Sequence, residues 1–436
     1  GGNLTYYIVD SVETDTTKHL TTETQWQRTV RLGAGGAGAI VGAGKDGQVA
    51  ILQESGTVNM KAGYICGFGA VSRPAYITSE FDDYNSAITV SSGTFNLSGG
   101  VLAANRSYAH GGAIYMYGKD CKLVMTGGII SGNYVDRMGG GIYCSSSSKY
   151  SGSPSIAVSG NSYITSNTAN GYYDGKVAVS GGGVYCRYRT TFEMNDGYIT
   201  GNYAKVAGGG IEGSINEGES VGYGSKINIY KGYISANKCL KMQGGGISCN
   251  YSSQCTITGD ADRKIYLTNN EMLAENMFGG GAIYIGHGST LKVYNTLISE
   301  NKAEHIGGGF SSCFVSNTFV FLNQSVAIFD NYDGGANGQP RDSDAAKDKT
   351  NFNYTGPSGN PDPYPISRAV DGHQDVYMGG NSRIYAGMLG GGDPKWSGSC
   401  DGSRITLTNA DKYCTAGTVI GLTAHPSDDD KTNARD

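Results

Sequence analysis

Charge, proline and long apolar runs are all scarce in this sequence, and each scarcity excludes something. Charged residues make up only 16%, with 33 Lys and Arg against 38 Asp and Glu, for a formal net charge of −5. No basic patch stands out, which argues against a nucleic-acid partner held through phosphate contacts. No stretch approaches the roughly 18 consecutive apolar residues of a spanning helix, so no transmembrane segment is expected. Prolines number only 9 against 31 tyrosines, a poor composition for a disordered linker. Cys-x-x-Cys is missing and the histidines lie far from the 10 cysteines in sequence. Neither a zinc site nor a redox motif follows, and no cofactor is expected. Convincing helical periodicity is missing as well. The chain opens Gly1-Gly2-Asn3 without Met or a signal peptide and is expected to be a trimmed or processed form.

What is abundant is glycine, 70 residues of 436, without a Gly-X-Y period, so collagen is excluded. The glycines belong to a repeat. A pattern of two apolar residues, two free positions and Asn recurs at Asn105, Asn133, Asn167, Asn202, Asn237, Asn270, Asn301 and, in degenerate form, Asn331. Successive asparagines are 28, 34, 35, 35, 33, 31 and 30 residues apart. A glycine cluster leading into a strand follows each of the first seven, as in Gly139-Gly140-Gly141-Ile142-Tyr143 and Gly181-Gly182-Gly183-Val184-Tyr185. Short alternating segments such as Lys226-Ile227-Asn228-Ile229-Tyr230 lie between the markers, and period two means one buried and one wet face.

One such repeat cannot bury its apolar face, but stacked repeats can. The expected fold is therefore all-β: a single right-handed parallel β-helix of about nine to eleven coils, with three short strands per coil and capped ends. Residues 1–60 read as an N-terminal cap with the first strands and 61–331 as the repeats. Residues 332–374 read as a long surface excursion, and 375–436 as the terminal coils and C-terminal cap. The asparagines are expected to stack as an amide ladder and the glycines to mark corners, both as scaffold. Cys144, Cys186 and Cys249 share one repeat position with Met116 and Ile285 and read as stacked buried thiols. An axial disulfide between Cys144 and Cys186 stays open. Cys400–Cys414 is the first disulfide candidate and Cys249–Cys255 a weaker one.

The repeat, with Thr94-Phe95-Asn96-Leu97-Ser98-Gly99-Gly100 and the run from Thr191 to Asn202, resembles the Gly-rich repeats of surface proteins from gut and other Gram-positive bacteria. It is also similar to the repeats of chlamydial polymorphic outer-membrane proteins. The match covers roughly residues 60–335. It implies a secreted or cell-surface adhesin, here a monomeric domain of a larger surface protein whose anchor is expected outside this chain. The implied partner is a host or environmental glycan, glycoprotein or host protein.

Two tyrosine columns are the candidate binding residues. Tyr115, Tyr143, Tyr185 and Tyr284 share one position and are expected to point outward; Tyr163, Tyr198 and Tyr233 form the second column. Insertions at 145–155, 170–180, 213–225 and 250–263 are the other candidate contact surface. An enzyme is not expected, but polysaccharide lyase or glycoside hydrolase chemistry is the alternative. Gly286-His287-Gly288 resembles the Gly-His-Gly element of polygalacturonases, yet Asp82-Asp83 lies too early and Arg383-Ile384-Tyr385 lacks that family's Lys. Asp330, Asp333, Asp342 and Asp344 are weak calcium candidates without EF-hand spacing. An ice-binding face is set aside for want of a regular Thr-x-Thr column. A structural stalk or self-associating surface protein is the third reading.

Overall fold

The computed structural model describes residues 3–8, 26–31, 39–42, 49–69, 86–173, 178–215, 222–259, 265–273, 278–304, 306–313, 318–323, 326–329, 331–333, 376–377, 383–387, 396–397 and 406–407. Cys400 and Cys414, like Asp330, Asp342 and Asp344, lie outside these residues, and of Asp333 only the backbone is described.

The described residues hold strands and no helix, and nearly all strands pair in parallel, so the fold is a parallel β-helix. One coil serves as the example. Its first face is Val184–Arg187, its second Thr191–Met194 and its third Tyr198–Thr200; a two-residue fourth strand, Tyr203–Ala204, follows the asparagine. Each strand pairs with its counterparts one coil earlier and one coil later. The first face is a sheet of ten strands and the fourth a sheet of eight. The second and third faces are joined where Lys122–Ser131 and Ser155–Thr165 run through both without a break.

The ladders begin early. Ala39–Val41, Ile51–Gln53 and Thr57–Met60 already pair with the strands at Tyr64–Cys66, Ile88–Val90 and Thr94–Leu97. Beyond Tyr332–Asp333, Val376–Tyr377 joins the first face and Arg383–Gly387 the second.

Alternation within each strand sends one set of side chains inward. Phe192, Met194, Ile199, Val184 and Cys186 from one coil are all fully buried in a single core that runs through the stack. Each aliphatic or aromatic side chain removed from water stabilises by about 1.5–3 kcal/mol, which offsets the ordering of its short strand.

The corners are where residue identity is forced. The first glycine of each cluster takes a left-handed conformation, with φ of 65° at Gly181 and 61° at Gly208. The second has no room: a Cβ on Gly182 would sit 2.2 Å from the carbonyl oxygen of Gly209 in the next coil. The asparagine corner has its own rule. The residue just before each asparagine from Asn105 to Asn301 is left-handed, whether glycine (Gly132, Gly201) or not (Ala104 at 53°, Ser166 at 54°, Ala236 at 54°, Asn269 at 57°, Glu300 at 58°).

The asparagines themselves form one continuous amide ladder. Asn202 Nδ2 donates to Asn237 Oδ1 at 3.0 Å and to the Ile164 carbonyl of the preceding coil at 2.9 Å. Its own Oδ1 accepts both the backbone N–H and the Nδ2 of Asn167. The same links run from Asn105 to Asn331. Each buried amide from Asn105 to Asn301 thus spans three coils with both ends satisfied.

Candidate functional site

The first tyrosine column corrects an expectation. Tyr115, Tyr143, Tyr185 and Tyr284 do lie on the side of their sheet away from the main core, but they are buried, with at most 2% of their surface exposed. They cannot present a surface to a ligand. The chain that leads into each glycine cluster lies over them. His110 stacks on Tyr143 at 4.6 Å, and Met138 packs in the same cluster as Tyr115, Tyr143 and Tyr185. Parallel bridges link His110 to Met138, and Ala207 through Gln243 to Gly279, so this covering layer repeats as the faces do. The column is also broken: in register, Glu212 and Ser248 stand between Tyr185 and Tyr284.

Glu212 is therefore a carboxyl group inside an aromatic column. Its Oε2 accepts the Ser180 N–H at 2.7 Å, while Oε1 has no hydrogen-bond partner. Burial pushes its pKa from 4.5 up to about 8, against the opposing pull of the Ser180 and Gly181 N–H groups, so it holds its proton at neutral pH. Arg187 and the Tyr185 hydroxyl lie in the same neighbourhood, and Arg187 stacks over Tyr188 at 4.3 Å.

The second column stays at the surface. Tyr163, Tyr198 and Tyr233 are stacked at 4.7 and 5.2 Å with planes within 5°. Tyr266 extends the row at 4.7 Å. Tyr233 is 39% exposed and the others are half-buried. Because the rings stack along the solenoid axis, their faces cover one another. What they turn to solvent is a row of ring edges and phenol oxygens, so a sugar cannot stack within the row.

Two residues further along each strand runs a hydroxyl row: Thr165, Thr200, Ser235 and Thr268 are in register, with Ser131 before them. Thr200 Oγ1 lies 3.3 Å from Thr165 Oγ1. The alternation Tyr-x-Thr or Tyr-x-Ser carries this row, and a search for Thr-x-Thr misses it. Ion pairs flank the face, Lys231 with Asp196 and Lys238 with Glu271, both at 2.8 Å.

His287 sits at the corner between the first and second faces. Its ring stacks on Tyr251 at 4.3 Å, and its Nδ1 lies 3.2 Å from Asn250 Oδ1. Burial lowers its pKa, which favours the neutral ring. His287 and Tyr251 are both left-handed, at φ of 52° and 53°.

The eight described cysteines are free and buried. Cys144 and Cys186 are direct register partners yet remain thiols, and burial raises the pKa of both. Cys249 and Cys255 are likewise unbonded. Among the described residues no group of three His, Cys, Asp or Glu is placed to hold a metal ion, and no helix is long and apolar enough to cross a membrane. Comparison with family models, curated proteins and solved structures finds no match for this chain.

Proposed function

We propose that this chain is a secreted or cell-surface binding module that recognises a glycan or glycoprotein through the third face of its solenoid. The observation that carries the reading is the double row on that face: phenol groups at Tyr163, Tyr198, Tyr233 and Tyr266 beside hydroxyls at Thr165, Thr200, Ser235 and Thr268. Strand spacing repeats this polar pattern about every 4.8 Å. A polyhydroxylated chain laid along the axis meets donors and acceptors at every rung. The scaffold holds them rigidly, so little side-chain entropy is lost on binding.

An array of glycans and glycoproteins tests the reading. Binding by the wild-type chain, weakened at least tenfold by Tyr198→Ala combined with Thr200→Ala, is the expected result. Absence of any binding, or binding indifferent to that pair, would overturn it. The polysaccharide-cleaving alternative rests on the neutral, strained His287. Product release from pectin or alginate that disappears in His287→Ala would put that reading first.

A further inference from the structure

The tyrosine row does not run the whole length of the third face. In the same register, Tyr163 is preceded by Ile129, Val101 and Tyr64. Two aliphatic rungs thus separate two aromatic ones. At about 4.8 Å per rung, the planes of Tyr64 and Tyr163 stand roughly 14 Å apart. Between them lies a shallow groove of about 360 Å³, with Tyr64 and Tyr163 as end walls, Val101 and Ile129 as floor and Asn161 at the side. The small end of the size range for ligand sites begins near 300 Å³.

Gly100 and Gly128 also line the groove, in left-handed conformations with φ of 95° and 87°, and a Cβ on either would turn inward against Met60 or Leu97. Further along the stack the corresponding bend is occupied by the Asp196–Lys231 ion pair.

Ring stacking decides what fits. One face of Tyr163 is covered by Tyr198. Its other face turns toward Ile129 and the groove, where a shorter side chain leaves the outer part of the ring uncovered. It is one end of the row, where a ring face rather than a ring edge is available; Tyr266, followed in register by Leu297, is the other end, and the groove lies at Tyr163. No charged side chain lines the groove, and Asn161 is exposed beside it. An aromatic face, an aliphatic floor and one carboxamide suit a ligand with an apolar ring face and hydroxyls at its rim.

We infer that this groove is a subsite for the terminal, uncharged pyranose of a saccharide, stacked on the open face of Tyr163 with Asn161 hydrogen-bonding its hydroxyls. The inference rests on the glycan reading above and adds to it the ligand's charge, the part of the sugar that is gripped and the place of the grip.

Saturation-transfer NMR of the full chain with neutral disaccharides (cellobiose, maltose, lactose and chitobiose) tests it. Ile129→Tyr continues the ring row into the groove and fills it. Val101→Tyr does the same one rung away and serves if the first variant fails to fold. The expected result is binding of at least one disaccharide by wild type, unchanged within threefold in Leu52→Ala, which alters an exposed side chain on the first face. Affinity should fall at least tenfold in whichever groove-filling variant keeps the wild-type melting temperature. Binding that survives groove filling overturns the subsite. If Tyr233→Ala abolishes binding and groove filling does not, the face proposed above stands and the subsite falls. If no disaccharide binds wild type but an aromatic dipeptide does, the saccharide assignment is overturned.

Discussion

Gly182 and Ala236 occupy corners of opposite character. A methyl group on Gly182 meets the Gly209 carbonyl oxygen at 2.2 Å and the Tyr203 backbone at 2.6 Å, and neither can move without shifting a coil. Gly182→Ala is expected to lower unfolding free energy by roughly 3 kcal/mol or more in urea denaturation. Ala236 is left-handed at φ 54°, which costs an L residue about 1 kcal/mol, and Ala236→Gly is expected to raise stability by up to about that amount. Glu212 makes stability depend on pH. Below its ordinary value of 4.5 both folded and unfolded chains hold the proton; between 4.5 and about 8 only the folded chain does. Stability therefore falls as pH rises through that window, by roughly 1.4 kcal/mol per unit at most, and the whole loss is present above it. Glu212→Gln keeps an acceptor for the Ser180 N–H and should flatten the profile measured by denaturation from pH 5 to 9. The glycine and asparagine markers were legible in the sequence because those positions accept almost nothing else. The left-handed residue before the asparagines from Asn105 to Asn301 was not, since Ala, Ser, Asn, Glu and Gly all occupy it. The neighbouring amide ladder holds that turn, and its residue type carries no signal.

At the level of the strand, alternation tells which side chains point into the core but not whether the opposite side is covered. Tyr143 and Tyr198 read alike in sequence, each on the outer side of a strand. Tyr143 is covered by His110 and Met138, whereas Tyr198 remains at the surface. The covering segment pairs through single bridges rather than strands, so it leaves no periodic trace to read. The difference has a measurable size. Tyr143→Ala should destabilise by about 3–5 kcal/mol, as truncation of a buried aromatic does. Tyr198→Ala should lose only its stacking, about 0.5–1.5 kcal/mol for each neighbouring ring. Equal losses in chemical denaturation would contradict this assignment of the two columns. Tyr266, in register with the exposed row, stood in the repeat pattern all along, followed by its own Thr268.

For the molecule as a whole, the fold was legible because its repeat is close to regular, and stacking is the one way such a unit can bury its apolar face. The proposed binding face was legible only in part, because half of the outward tyrosines are roofed over and the hydroxyl row is shared between Ser and Thr. The continuous core has a chemical consequence for the thiols. All eight described cysteines are shielded, so a thiol reagent should leave them unmodified in the native chain and label them together when the stack opens in denaturant. Labelling of Cys144 or Cys186 under native conditions, read by peptide mass mapping, would contradict a closed core.

The amide ladder also has a mechanical meaning. Each coil adds about 4.8 Å to the length of the solenoid while winding up some 30 residues, which extend to roughly 100 Å when pulled straight. The protein is a spool, and Asn202 with its neighbours holds adjacent turns together. Drawn from its two ends in a single-molecule force measurement, it should pay out chain in steps of about one turn, each step marking the release of one asparagine from the next. Any surface carried on such a spool would yield to tension by lengthening before it let go.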